Sequence, residues 1–284
     1  MPKIGDYTLH TIETGRFGLD GGAMFGIVPK PLWERKIPAD SRNRIPLNMR
    51  CLLLEGNGRL MLIDNGLGDK YDEKFGDIFG VDQEYAELNR SLNALGHSVD
   101  DITDVIITHL HFDHCGGSTR RTGDALEMVF KQARHWVQRE HWDWAQKPNV
   151  RERNSFLAEN LEPMKASGQL EFLDGSAEIA PGIDVFAVGG HTQAMQLVKI
   201  SSPDTTMVYM ADLIPTHAHV PSAWNMAYDL FPMTTIKEKE AFLAEATDKQ
   251  WHLFFEHDPE VEVASLEQTE RGAKIINKRP LTEL

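Results

Sequence analysis

Short blocks of consecutive apolar residues, each ended by a polar or glycine-containing loop, alternate along this chain with stretches whose apolar positions recur every three or four residues. That alternation predicts a mixed α/β protein. Residues 51–54 and 60–63 are two apolar runs around Glu55-Gly56-Asn57-Gly58-Arg59, the pattern of a hairpin. The second run ends in the polar loop 64–68. Leu88, Leu92 and Leu95 predict a helix over 84–95, closed by Gly96, and Ser98 stands three residues before Asp101 as in a capping box. Residues 104–108, apolar and β-branched, form the strongest buried-strand candidate. Further strands are expected at 183–188, 197–200, 206–210 and 252–255, and helices at 154–166 and 235–247. Residues 1–50, rich in Pro and Gly, predict an irregular arm covering the core. No repeat or flexible linker divides residues 1–284, so a single domain is expected.

Composition narrows the function. The chain is 41% hydrophobic and 25% charged, within the globular range. No run approaches the roughly 20 apolar residues of a membrane span. The opening MPKIGDYTLHTIE lacks a secretory pattern, so a cytoplasmic protein without a membrane partner is expected. A net charge of −14 argues against nucleic acid as a partner. Two cysteines, Cys51 and Cys115, make no disulfide framework. Cys115 follows His114 directly, yet reads as a packed small side chain rather than a ligand. Apolar residues in the N-terminal arm suggest a homodimer.

The candidate chemistry begins at the end of the predicted 104–108 strand. His109, His111, Asp113 and His114 fall within six residues, and in an extended loop His109 and His111 point the same way and can share one ion while Asp113 and His114 turn toward a second. Imidazole and carboxylate suit zinc, and also manganese, iron or cobalt. Gly116 and Gly117 allow a sharp turn after the last ligand. Two ions require further ligands, and His191, Asp212 and His257 each follow an apolar run expected to be a strand. His217 and His219 either line a pocket or bind a supporting carboxylate. His135 and His141 lie among Trp136, Trp142 and Trp144 and read as an aromatic helix face packed on the core. Met24, Phe25, Ile27 and Trp33 are candidates for gripping an apolar substrate tail.

From Asp64 through Thr108-His109-Leu110-His111-Phe112-Asp113-His114, Gly190-His191-Thr192, Ala211-Asp212 and Glu256-His257-Asp258, the chain resembles the metallo-β-lactamase superfamily of hydrolases. The resemblance implies an αββα sandwich of two mixed sheets with helices outside. It implies one metal on His109, His111 and His191, a second on Asp113, His114 and His257, and Asp212 bridging them. The stretch 20–30 looks like that of quorum-quenching N-acyl homoserine lactone lactonases and methyl parathion hydrolase. A lactonase acting on a small lactone or ester is therefore expected, with hydroxide shared by two divalent ions as nucleophile and Asp113 passing the proton to the leaving alkoxide. A phosphotriesterase on the same site, and a metal-binding module without catalysis, are the alternatives. Two departures bear on substrate: the tyrosine that better-known lactonases carry three residues after the bridging aspartate is Pro215 here, and Gln193-Ala194-Met195 replaces the usual Pro-Gly-His after Gly-His-Thr.

Overall fold

The computed structural model describes residues 1–284. The first sheet takes β1 (Lys3–Ile4), β2 (Tyr7–Asp20), β3 (Arg44–Gly56), β4 (Arg59–Ile63) and β5 (Asp104–Ile106). A small hairpin, β6 (Thr119–Thr122) and β7 (Ala125–Met128), stands apart, and β8 (Arg134–Gln138) and β9 (Leu170–Leu173) complete the first sheet in the order β1-β2-β3-β4-β5-β8-β9. The second sheet runs in sequence order through β10 (Ala177–Ala180), β11 (Ile183–Val188), β12 (Met195–Ser201), β13 (Thr206–Tyr209), β14 (His252–Phe254), β15 (Val263–Thr269) and β16 (Gly272–Arg279). Both sheets are mixed: β4, β5, β8 and β9 are mutually parallel, as are β13 and β14, and the other pairs are antiparallel. The helices are α1 (Gly21–Phe25), α2 (Lys30–Trp33), α3 (Glu73–Phe79), α4 (Leu88–Ala94), α5 (Phe112–Cys115), α6 (Arg139–Ala145), α7 (Ala158–Ser167) and α8 (Pro232–Asp248).

The period-2 geometry of a strand explains why the runs 51–54 and 60–63 are apolar throughout. Leu52, Leu54, Met61 and Ile63 face the second sheet and join Ile183, Val185, Leu197, Tyr209 and Leu253 in the inner core. Cys51, Leu53, Leu60 and Leu62 point the other way, into a layer with Leu88, Leu92, Trp142, Leu161 and Met164 from the helices. Helix α8 covers the outer face of the second sheet through Phe242, Leu243 and Ala246. Each such side chain, fully buried, contributes roughly 1.5–3 kcal/mol of hydrophobic stabilisation. The result is the expected αββα sandwich of two packed sheets with helices outside. Both cysteines are free and buried in it, and burial pushes the Cys115 thiol up to about 12, which keeps it a packed, protonated side chain.

The hairpin of 51–54 with 60–63 forms in the register Leu52↔Ile63 to Gly56↔Arg59. Ser98 N donates to the Asp101 carboxylate, the N3-to-N-cap half of a capping box, and Ser98 Oγ donates to the same carboxylate. The N-terminal segment departs from expectation. Tyr7–Asp20 is a 14-residue strand paired with Arg44–Gly56, and its apolar pattern is obscured because polar His10 and Thr14 share its buried positions with Leu9, Ile12 and Phe17. Only 21–43 behaves as a cover. The helix expected over 84–95 is shorter, Leu88–Ala94, since the Glu87 side chain accepts from Asn89 N and Arg90 N and caps it there. The 154–166 stretch becomes helical only from Ala158. His135 sits on β8 rather than on a helix face.

His135 is fully buried, with Nδ1 donating to Ala133 O and Nε2 without a partner. Burial holds its pKa down to about 4. Because the folded value lies below the unfolded value of about 6.5, the unfolded chain takes up this proton first as pH falls. The stability contribution is complete above pH 6.5 and is lost on acidification toward pH 4. Urea unfolding of the metal-free protein is expected to show about 2 kcal/mol less stability from this residue at pH 5 than at pH 7.5. A His135→Phe variant should lose that part of the pH slope; an unchanged slope would contradict the assignment.

Candidate metal centre

The metal-loop residues enter the space between the sheets from the end of β5. Residues 107–111 follow the strand as an irregular loop with bends at Thr108 and His111, and α5 begins at Phe112. Gly116 is required by the close turn beyond, since a Cβ there would lie 2.0 Å from Leu67 O. Asp64, at the end of β4, adopts φ 54°, and Ala211, just before Asp212, φ 42°. Left-handed backbone at non-glycine residues is strained and gathers at functional sites.

Five histidines and two aspartates converge here, and the orientation of each ring is set from behind. His109 Nδ1 lies 3.1 Å from Thr108 Oγ1, which donates to Asp64, leaving Nε2 inward. His111 is turned over: Nε2 donates to Glu152 at 3.0 Å, so Nδ1 faces His109 Nε2 at 3.0 Å and His191 Nε2 at 3.3 Å. His191 Nδ1 donates to Asp229 at 3.0 Å, and His257 Nδ1 to Asn48 O at 2.8 Å. His114 Nδ1 lies 3.1 Å from both Asp64 and Glu256, and its Nε2 is 3.2 Å from His257 Nε2. Such outer partners fix ring orientation and tautomer at metal sites.

Four groups of three ligand atoms lie close enough to hold an ion, among them His109, His111 and His191, and Asp113, His114 and His257; the other two are His109, His114 and Asp212, and Asp64, His114 and Glu256. Asp212 lies between the first two groups, 3.2 Å from His191 Nε2, 3.3 Å from His257 Nε2, 3.7 Å from His114 Nε2 and 3.9 Å from His109 Nε2. Asp212 Oδ1 is buried and has no hydrogen-bond partner. Inward nitrogens facing one another, and a buried acceptor with no donor, leave a set of lone pairs that a divalent cation would satisfy. The donor set therefore fits the metals that the fold implies. Burial opposes charging of His257, yet the Asp212 carboxylate beside it carries its pKa up to about 9, whereas burial holds His109 well below its ordinary value.

Several residues that act here carry no pattern in the sequence. Glu152 lies in the irregular segment before α7. Burial raises a carboxyl pKa, but hydrogen bonds from His111, Thr192 Oγ1 and Trp144 Nε1 bring it down to about 2. Asp64, by contrast, is pushed up to about 7 by burial and by Glu256 nearby. His141 is no mere packing residue: Nε2 accepts from Leu110 N at 2.8 Å and Nδ1 donates to Gln193 O at 2.6 Å, tying the His109–His114 loop to the loop after His191. On α8, Glu238 accepts from Gly189 N and Gly190 N, and buried Lys239 donates to the His219 and Trp224 carbonyls. Burial lowers that ammonium to about 8.

A cavity of about 480 Å³ opens onto the centre at His111, Asp113, His191, Asp212 and His257. Leu19, Met24, Leu47, Phe79, Phe112, Met226 and Leu230 form its apolar walls; Arg151, Glu152, Asn154, Ser155 and Tyr228 supply polar groups. Of the residues expected to grip a substrate tail, Met24 lines this cavity. Phe25 and Trp33 do not; both are fully buried beneath it, with Phe25 stacked between Trp33 at 5.3 Å and His219 at 4.5 Å. The short α1 points Met24 inward and its neighbour Phe25 into the core. Ile27 is 92% exposed outside the cavity. His217 is also absent from its lining: its backbone N and Nδ1 both donate to Asp258 Oδ2 at 2.6 Å, so it binds a supporting carboxylate and links the loops after Asp212 and His257.

Residues 46–257 match the metallo-beta-lactamase superfamily. The chain belongs to that superfamily. Its structure is similar to that of a probable metal-dependent hydrolase from Staphylococcus aureus, with TM-score 0.89 and 32% identity over 98% of this chain and 100% of that one. It shares a fold with AidC, a dizinc quorum-quenching lactonase solved with the product N-hexanoyl-L-homoserine, at TM-score 0.83, 22% identity, and 98% and 97% coverage. In sequence it is similar to an N-acyl homoserine lactonase of Bacillus cereus, 24% identical over 177 residues, which are 59% of this chain. The match spans 64% of that relative's length. No helix is long and apolar enough to cross a membrane.

Proposed function

We propose that the protein is a dinuclear lactonase that opens N-acyl homoserine lactones. His109, His111 and His191 would hold one divalent ion and Asp113, His114 and His257 the other, with Asp212 bridging; zinc suits this nitrogen-rich set. The observation that carries the reading is Asp212 set between two triads, at the floor of a cavity whose walls are apolar above a polar centre. When bound, two such ions supply Lewis-acid polarisation of a carbonyl and lower the pKa of water toward neutrality.

The chain's own residues account for the remaining steps. Asp113 lines the cavity beside His114 and His257, each 3.7 Å from its Oδ2, and is placed to carry a proton to the leaving alkoxide. Tyr228 is the cavity's phenol. Partial burial and the Asp20 and Asp113 carboxylates raise its pKa, so the ring, 40% exposed, stays an O–H donor able to orient a carbonyl oxygen, a task that Pro215 cannot perform. Met24, Leu47, Phe79 and Met226 exclude water from an acyl chain.

The test is a side-by-side measurement with the zinc-loaded protein. kcat/KM for N-acyl homoserine lactones is expected to exceed that for paraoxon-like triesters by at least about 10²-fold, since a preference of that size needs only about 2.7 kcal/mol of differential transition-state binding. The reverse order would make the protein a phosphotriesterase. No turnover of lactone, ester or triester by fully loaded protein would favour a binding module.

A further inference from the structure

Arg151 is the lone arginine or lysine lining the cavity, beside Asp113, Glu152 and Asp212. It is not committed to a carboxylate: no acidic side chain lies within salt-bridge distance, and its one side-chain hydrogen bond goes from Nη2 to Ala227 O. A guanidinium carries five N–H donors in a rigid plane, so four remain for whatever enters. Its range is nevertheless limited. The backbone N of Arg151 donates to Asn149 Oδ1 at 2.8 Å, Nη2 is held by the 224–230 loop, and the next residue, Glu152, is buried against His111. Arg151 is exposed at the rim of the cavity, and these ties limit the range of positions from which it meets a ligand acceptor.

We infer that Arg151 is a specificity-determining residue that binds a second carbonyl or carboxylate oxygen of the substrate, away from the bond that is cleaved. This rests on the lactonase reading and narrows it: lactones bearing such an oxygen, as in an amide or an acid, are selected over plain alkyl lactones. Binding involves no covalent step; the guanidinium donates one or two hydrogen bonds and keeps its proton.

The experiment uses the zinc-loaded enzyme as wild type, Arg151→Met and Arg151→Lys. Three substrates of matched chain length are compared: an N-acyl homoserine lactone, a γ-alkyl lactone without a second carbonyl, and a γ-lactone with a carboxylate on its chain. Arg151→Met is expected to raise KM about tenfold for the first and third, the size of a lost charge-assisted hydrogen bond. It should leave kcat and zinc content unchanged and shift KM for the alkyl lactone by less than about twofold. Arg151→Lys, keeping a charged donor, should recover part of the loss. An equal rise on all three substrates, or a fall of kcat and zinc together, would overturn the inference and reduce Arg151 to a tie between loops. If wild type opens no lactone, the lactonase reading fails separately. The same variants on aryl esters with and without a distal carboxylate then decide the role of Arg151.

Discussion

Asp212→Ala is expected to lower kcat/KM by roughly 10³-fold or more and to reduce bound metal from two ions to one or fewer. The size follows from its place. Asp212 is the single carboxylate within 4 Å of histidines from both triads, so its removal takes the shared negative ligand from both ions, and with it the arrangement that supplies charge stabilisation and the nucleophile. Five imidazoles and Asp113 would then hold two dications with one negative charge fewer between them, so the second ion binds less tightly. Metal content by mass spectrometry on the same preparation that is assayed separates loss of metal from loss of fold. Full activity in metal-poor Asp212→Ala protein would refute the two-ion site.

Glu152→Ala is expected to act at one remove, lowering activity 10- to 100-fold through weaker metal binding and costing about 3–5 kcal/mol of stability. The carboxylate accepts from His111, Thr192 and Trp144 at once. Without it the buried His111 and Thr192 donors and the half-buried Trp144 indole lose their partner, and His111 is free to turn Nε2 inward in place of Nδ1. Glu152→Gln keeps an acceptor for one or two of the three, so it should retain more stability than Glu152→Ala while still losing metal affinity. Circular dichroism melts and zinc titrations distinguish the two effects. Wild-type zinc affinity in Glu152→Ala would show that His111 is positioned by its loop alone.

What was legible in the sequence was whatever depends on neighbours along the chain. The hairpin of 51–54 and 60–63, the capping box at Ser98 and the strand before His109 are local patterns, in which a period of two or a cap at fixed spacing suffices. The candidate ligands were legible for the same reason: four lie within six residues, and His191, Asp212 and His257 each follow an apolar strand, because strand ends deliver side chains to one edge of a sheet. Strand β2, within residues 1–50, shows no clear alternation in the sequence because polar His10 and Thr14 occupy buried positions. His10, Thr14 and Arg16 find partners in Glu55, Met49 O and the Tyr85 ring that only the paired strand and the 82–87 loop bring near.

Tertiary structure alone decided the rest. Glu152, Asp229 and Asn48 support histidines 41, 38 and 209 positions away, and nothing in their local sequence marks them. Met24 and Phe25 are adjacent and buried in one apolar cluster, yet only Met24 also reaches the cavity, since a turn of helix sends neighbouring side chains to different faces. The sequence by itself determined which groups can bind metal, because ligand chemistry belongs to the side chain. Only the packed structure determined which nitrogen of each ring faces inward, because that depends on the hydrogen bond its other nitrogen makes to a residue distant in the chain.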